Sequence, residues 1–574
     1  MTLHGMGVSA GFAWGEAFVY EPAAVPDAVD LFEGSPEPHL EAFHGAVEKA
    51  AGELDELIER VAETSPKQAD IFQAHKAILY DSEMLETIAE EISSDHKTPA
   101  AAVSSVYSQF IALFSSVEDP LIAARMADME DVRNRLLRAL GGFGTQLSQL
   151  DRPVILIAHD LLPSDIVGPE TKYIRGIVTE TGSATSHAAI LANALGIPAV
   201  LGAGDAASLV KTGQTVGIDA AEGLIFLDPD QETVCRLDHA AQAHTQQKSL
   251  EAQYLLRSCE TLDGETVEIG LNVSPGETAG SYQAADYVGL LRTEFLYMER
   301  TSFPSEDEQY HAYRAVLQRA EGKPVILRTL DIGGDKTLPY LQMEKEDNPF
   351  LGERALRLCL ARPEIFKTQL RAVLRASVHG QLWVMIPMVG SIDDIRAARA
   401  VFEGVKADLT REGIPFDAGI RFGIMIEIPA IAMIADLAAE EVDFASIGTN
   451  DLCQYLCAVD RTNPGLRGYY QSLSPAMIRT IRMIADAFLS RGKPLSVCGE
   501  LGGDRLGALA LLGLGIRKLS MSGAKIAPIK ALLSSLTLDS IEAAVHSALA
   551  LKTEEEVRQC LSSLASEAKI KQIV

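Results

Sequence analysis

Aromatic residues are scarce: Phe, Trp and Tyr together make up 6% of the 574 residues, and only two are tryptophan. Ala, Leu, Ile and Val must therefore fill the cores. Basic residues are also few, with 50 Lys and Arg against 79 Asp and Glu, a formal charge of −29. A chain so acidic repels nucleic-acid backbones and anionic membranes unless it carries a local basic patch, so no nucleic-acid partner is expected. No apolar run reaches the roughly 18 residues of a membrane-spanning helix, so no membrane insertion is expected. The opening MTLHGMGVSAGFAWG lacks the basic and apolar regions of a secretory signal. The seven cysteines are odd in number and scattered, from Cys235 to Cys560. That argues against a disulfide scaffold and for a reducing compartment, the cytoplasm. What remains is ordinary globular composition, 47% hydrophobic and 22% charged, over a length suited to about three or four domains.

Three patterns follow one another along the chain. Residues 1–20 read as short strands with Gly-rich turns. From about Pro26 to Leu140 the spacing becomes helical, with Leu40, Phe43, Val47, Leu54, Leu57, Ile58 and Val61 at three- and four-residue steps. A second stripe runs from Ile71 through His75 and Leu79 to Leu85, Ile88 and Ile92. Residues 21–140 hold 24 Asp/Glu and 9 Lys/Arg, a net −15. Solvated helix faces are the plain reading of such a run; a docking surface for a small basic partner is the sharper one. From Pro153, PVILIA, RGIVTE, HAAILANALG and IPAVLG alternate strand, strand, helix and strand, and residues 211–228 read as a hairpin. Residues 229–260 are polar, Ala/Gln-rich and nearly free of Gly and Pro, and predict a linker helix.

Beyond that linker, eight short apolar runs alternate with helical stretches: 267–273, 287–294, 324–331, 382–389, 421–429, 444–451, 494–501 and 516–523. Eight βα units predict a (β/α)8 barrel, in which polar residues at the strand C-termini gather at one mouth. Arg292, Arg328, Glu427, Asn450, Asp451 and Cys498 all lie at such ends. Guanidinium forks match phosphate and carboxylate oxygens, although arginines in so acidic a chain also simply pair with its carboxylates. Glu427 and Asp451 on neighbouring strand ends suit a divalent cation shared with substrate oxygens. Cys498 is either inert core or, over a carbanion-like carbon, a proton donor. Arg354 and Arg357 lie three apart on a predicted helix. In TETGSATSHAAILANALG a loop of Gly182, Ser183, Ala184, Thr185 and Ser186 places His187 at a helix start, where an attached anion would meet free N–H groups. A Ser/Thr cap followed by an incidental histidine is the competing reading.

The segments TGSATSHAAILA, GLLRTEFLYMER, ILRTLDIGGDK, NPFLGERALRLCL, IMIEIPA, SIGTNDLCQY, AVDRTNP and SVCGELGGD resemble enzyme I of the bacterial phosphoenolpyruvate:sugar phosphotransferase system. The resemblance spans nearly the whole chain. It implies a multidomain α/β protein: an α/β swivelling phosphohistidine domain (1–20 and 143–229), an inserted α-helical carrier-docking domain (21–142), a linker helix (230–260) and the (β/α)8 barrel (261–574). Phosphoenolpyruvate and Mg2+ would bind at the barrel mouth, with Arg292, Arg328, Lys336, Arg354, Asn450, Asp451 and Arg461 binding substrate and Glu427 and Asp451 binding metal. His187 would take the phosphoryl group and pass it to an HPr-type carrier protein. Cys498 would protonate enolpyruvate to pyruvate, and the chain would form a homodimer. Asn193 stands where the family usually has arginine, within reach of a phosphoryl group on His187. Gln73 and Lys76, flanking His75, also depart from the expected helical segment. A pyruvate phosphate dikinase or phosphoenolpyruvate synthase would share the histidine module and barrel but needs a nucleotide-binding domain, and residues 1–150 contain no Gly-rich phosphate loop. A regulatory phosphotransfer protein without turnover is the other alternative.

Overall fold

In the computed structural model the first sheet joins strands from both ends of its unit. Its strands are β1 (Thr2–His4), β2 (Met6–Ser9), β3 (Phe12–Tyr20), β4 (Val154–Ala158), β5 (Ile174–Thr179), β6 (Ala199–Leu201), β7 (Thr215–Asp219) and β8 (Leu224–Leu227), in the order β1-β8-β7-β3-β4-β5-β6-β2. The run β3-β4-β5-β6 is parallel, and the flanking pairs are antiparallel. All five residues of β4, VILIA, are buried, as expected of a central parallel strand covered on both faces. The structure describes residues 1–20, 30–62, 66–115, 120–141, 147, 150–161, 169–182, 186–274, 280–298, 300–334, 336, 338, 340–341, 343–344, 346–568 and 570. Ser183, Ala184, Thr185 and residue 143, at the expected domain boundary, lie outside them.

Between β3 and β4, which are neighbours in the sheet, the described residues include five α-helices: Glu37–Ala62, Pro66–Leu79, Ser82–Ser94, Pro99–Ser115 and Pro120–Ala139. The second sequence stripe divides between two of them. Asp81 accepts a hydrogen bond from the Met84 N–H, and this cap starts the helix that buries Met84, Ile88 and Ile92. His75 is fully buried, with Nε2 3.1 Å from Asp128 and Nδ1 3.7 Å from Asp131. It is a packing residue of the helices, while Lys76 pairs at the surface with Asp55.

Two compact units divide the chain, 1–246 and 247–574, and the helix Gln231–Ala252 runs across the boundary. A helix thus occupies part of the span 230–260, ending at Ala252. Cys259–Glu260 already form a strand, β9, antiparallel to β10.

The second unit holds β10 (Thr266–Val273), β11 (Tyr287–Arg292), β12 (Val325–Arg328), β13 (Leu382–Ile386), β14 (Arg421–Ile426), β15 (Phe444–Ile447), β16 (Leu495–Val497) and β17 (Lys518–Met521). Each pairs in parallel with the next, and β17 pairs with β10 to close an eight-stranded barrel. Side chains on the outer face of the strands pack against the helices in one large apolar core. The lumen forms a separate cluster of Tyr287, Leu290, Ile326, Met385, Met425, Phe444 and Cys498. These side chains fill most of the lumen, so a substrate can bind only at the barrel's mouth.

Candidate active site

Strand register sets the site. Arg292 and Arg328, the last residues of β11 and β12, are direct partners. Arg328 donates from Nη2 to Glu294 Oε1 at 2.6 Å and lies 2.9 Å from Asp331 through Nη1. Lys336 Nζ donates to the same Glu294 oxygen at 2.9 Å. Arg354 donates to Asp331 from Nε at 2.9 Å, and to Asp451 Oδ1 and the Tyr455 hydroxyl from Nη1 at 3.0 and 3.1 Å. Arg461 Nη1 lies 3.6 Å from Asp451 Oδ2. Burial works against charge on Glu294, but Arg328 and Lys336 outweigh it and hold the carboxyl below its usual range. Asp331 is lowered against its burial in the same way, first by Arg328. Arg292 forms no ion pair with any described residue, so its fork remains available to a ligand.

Arg354 is fully buried and does not sit on the predicted helix. It follows a short turn, Pro349–Leu351, and precedes the helix Leu356–Ala361. Ala355 between them has φ 53°, outside the helical region, and its N–H donates to the Ile332 carbonyl at 2.9 Å. Gly333, with φ 109°, makes the close approach possible. A Cβ there would lie 2.7 Å from the Glu353 carbonyl oxygen and 2.9 Å from the Arg354 Cα. Arg357, expected beside Arg354, instead donates to the Leu351 and Gly352 carbonyls.

Glu427 follows β14. Its Oε1 accepts a hydrogen bond of 2.6 Å from the Met388 N–H, and its Oε2 is buried without a hydrogen-bond partner among the described residues. Burial, then repulsion by Asp451, pushes its carboxyl up to about 8. Met388 holds that N–H in place with φ 56°, a strained setting for a non-glycine residue. Gly448 keeps the space open, since a Cβ there would lie 2.7 Å from Glu427 Oε2. Asp451 is not a strand end as expected: β15 stops at Ile447, and Asn450 and Asp451 lie in the first turn of the helix Thr449–Cys457. Asn450 Oδ1 accepts from the Glu500 N–H at 2.9 Å. Cys498, 4% exposed, follows β16; burial pushes its thiol up to about 11, so it is neutral near pH 7.

One cavity of about 590 Å³ is lined by all nine predicted barrel residues: Arg292, Arg328, Lys336, Arg354, Glu427, Asn450, Asp451, Arg461 and Cys498. Glu294 and Asp331 also line it and were missed, although both stand in quoted segments, GLLRTE and ILRTLD. Among the described residues no group of three or more His, Cys, Asp and Glu forms a ready metal cage. The unpartnered Glu427 oxygen opposite Asp451 nonetheless suits a hard cation completed by substrate oxygens.

Residues 248–538 match the description "PEP-utilising enzyme, PEP-binding domain", residues 4–125 its N-terminal domain and residues 150–223 its mobile domain. Over 562 residues the chain is 40% identical to the phosphoenolpyruvate-protein phosphotransferase of Bacillus subtilis (strain 168), covering 97% of this chain and 98% of that protein. The chain belongs to the phosphoenolpyruvate-protein phosphotransferase family. The Streptococcus equinus relative is 41% identical over 567 residues and the Staphylococcus carnosus (strain TM300) relative 39% over 564, each covering 97% of both chains.

The mobile-domain match of this phosphotransferase family contains His187, the first residue of the helix His187–Leu195. Its side chain lies outside the described residues. Ser186 caps that helix by accepting from the Ala189 N–H, and Gly196 ends it in the left-handed region. Asn193 has a structural task here. Its Nδ2 donates to the Val8 carbonyl on β2 at 2.7 Å and to the Ala189 carbonyl at 3.0 Å. Asn193→Ala is expected to cost about 1 kcal/mol, read as a lower melting temperature of the 1–246 unit. Asn193→Arg loses the same tie and is expected to lower the melting temperature of that unit similarly.

Proposed function

We propose that the barrel mouth binds phosphoenolpyruvate and transfers its phosphoryl group to His187, which passes it to a histidine of an HPr-type carrier protein, with release of pyruvate. This is the first step of a phosphotransferase system, carried out by a transferase acting on a protein histidine. The observation that carries the reading is a single cavity that sets paired arginines, an unpartnered carboxylate oxygen and a neutral thiol around one ligand space.

Phosphoryl transfer is catalysed mainly by positioning and charge neutralisation. Arg292, without a competing carboxylate, and Arg328 beside it bind the anionic groups of the substrate. Arg354, Lys336 and Arg461 are held in place by Glu294, Asp331 and Asp451, so their charges stand ready before substrate arrives. Asn450, in the first turn of its helix, binds a phosphoryl oxygen. Glu427 and Asp451 would hold Mg2+, which would supply charge neutralisation for the phosphoryl oxygens. The P–O bond to the enol oxygen breaks as the N–P bond to His187 forms. Cys498 then gives its proton to C3 of enolpyruvate, a role that a neutral thiol can fill and a thiolate cannot. His187 reacts through the ring nitrogen remote from the backbone, and the N–H groups of its helix start receive the anion.

The same histidine serves a donor and an acceptor, so the phosphohistidine domain (1–20 and 143–229) must swivel on the helix that leads to the barrel. The acidic helices of 21–142 form the carrier-docking domain, a homodimer forms through the barrel, and the protein works in the cytoplasm. Among the described residues no helix is long and apolar enough to cross a membrane.

Incubation with phosphoenolpyruvate labelled in its phosphoryl group, Mg2+ and an HPr-type carrier tests the reading. Acid-labile label is expected on His187 and then on the carrier, without ATP or AMP. A requirement for either nucleotide would favour the dikinase class instead. Glu427→Gln and Asp451→Asn are each expected to raise the Mg2+ concentration for half-maximal labelling by about tenfold or more. An unchanged requirement in both variants would place the metal elsewhere.

A further inference from the structure

A donor that gives up one proton per turnover must take one back, and Cys498, only 4% exposed, meets the cavity just where substrate and product sit. Beneath it the barrel lumen is uneven in chemistry. Its apolar lining is Leu290, Ile326, Met385, Met425 and Phe444. Beside these, three buried hydroxyls on β11, β15 and β16 have no hydrogen-bond partner among the described residues: Ser446 Oγ, Ser496 Oγ and Tyr287 Oη. Unpartnered hydroxyls in a buried core are disfavoured, and three in one lumen call for a function.

Their placement is ordered. Ser446 and Ser496 are register partners on β15 and β16, and Cys498 is two residues beyond Ser496, on the same face. The Ser446 hydroxyl is near enough to draw the thiol pKa down against its burial, though it makes no well-formed hydrogen bond. Tyr287 lies across Gly270, where a Cβ would be 2.6 Å from the ring Cζ. At the opposite end of the barrel from the cavity, Lys518 Nζ stands 5.3 Å from the Tyr287 ring centroid and 2.5 Å from Glu268 Oε2. These two side chains are 28% and 43% exposed, so this end of the lumen reaches solvent.

We propose that Cys498 is reprotonated through the barrel interior, along a seam of hydroxyls and buried water that enters beside Lys518 and Glu268, passes Tyr287 and Ser496, and ends at Ser446. The thiolate left after C3 is protonated takes the Ser446 proton. Ser446 regains one from the next hydroxyl or water, and the net proton comes from solvent at the barrel's far end. Water is the natural partner of such hydroxyls, because each bridging molecule accepts and donates at once. Ser446 is a positioning and relay residue, acting on substrate only through Cys498.

The inference rests on Cys498 being the proton donor. Rapid-quench measurement of pyruvate, with full-length protein, Mg2+ and excess carrier, separates the first turnover from later ones. Ser446→Ala starts with a protonated thiol, so its first pyruvate is expected at the normal rate. Later turnovers are expected to slow by about tenfold or more, and added imidazole buffer should restore them as a diffusible acid. Tyr287→Phe, which keeps the ring, should show the same split and covers the case in which Ser446→Ala misfolds. Equal rates in first and later turnovers, whether normal or uniformly slowed, would overturn the seam. Cys498→Ala is the separate control: it should slow even the first pyruvate. If it does not, the reading of Cys498 fails rather than the relay.

Discussion

Replacing His187 with alanine is expected to abolish labelling of the chain by phosphoenolpyruvate while leaving phosphoenolpyruvate binding nearly unchanged. Removal of an enzyme's nucleophile costs on the order of six orders of magnitude in rate, so residual label should be undetectable. Binding persists because the cations that line the cavity belong to the 247–574 unit, whereas His187 belongs to the other. Calorimetric titration with phosphoenolpyruvate and a labelling assay on the same preparation give the two readouts. Full labelling of the variant would move the acceptor to another residue. Loss of binding together with labelling would instead mean that the substitution had damaged the barrel.

The largest loss of stability is expected from Arg354→Met. This guanidinium is the sole described cation within hydrogen-bonding reach of both Asp331 and Asp451, and it is fully buried. Its removal leaves two buried carboxylates facing Glu427 with less compensation. Breaking such a pair by removing one partner typically costs about 3–5 kcal/mol. At roughly 1.5 °C per kcal/mol for a unit as long as 247–574, the barrel transition should fall by about 4–7 °C in a calorimetric scan. Arg354→Lys is expected to recover little, because one ammonium cannot reproduce a fork that reaches Asp331, Asp451 and Tyr455 together. A drop under about 1 kcal/mol would mean that the carboxylates relieve their repulsion by taking up a proton.

The barrel was legible in the sequence because parallel strands covered on both faces leave short, nearly unbroken apolar runs, as in LWVMI and RFGIMI. Arg292 and Arg328 were legible because a charge closing such a run stands out. Arg354 was located only as part of a motif, and its helix assignment failed. The left-handed Ala355 and the close approach of Gly333 are set by contacts with residues some twenty positions earlier, which local periodicity does not encode. Asp451 was given a strand end for a similar reason: nothing local distinguishes the last residue of a strand from the first turn of the helix that follows Gly448. Glu294 and Asp331 have no sequence signature of their own, because a carboxylate in an acidic chain carries no signal until its partners are known. Asn193 was read only against the arginine expected there, while its bond to Val8 spans 185 residues.

The barrel's closing seam has a consequence for how the protein is made. Strand β10 pairs with β17, and Glu268 and Lys518, which are partners across that seam, stand 250 residues apart in sequence. As the chain leaves the ribosome, the 1–246 unit is complete long before this seam can form. The growing sheet meanwhile presents β10 on one side and its newest strand on the other, both with unpaired N–H and C=O groups. Open edges of this kind are templates for pairing with other chains. A message truncated anywhere between the codons of Val273 and Lys518 should therefore yield an aggregating or rapidly degraded product, never a partly active barrel. One truncated near Gln246 should yield a soluble first unit. Translation arrest inside the barrel is thus the step at which a cell would need a chaperone for this protein most.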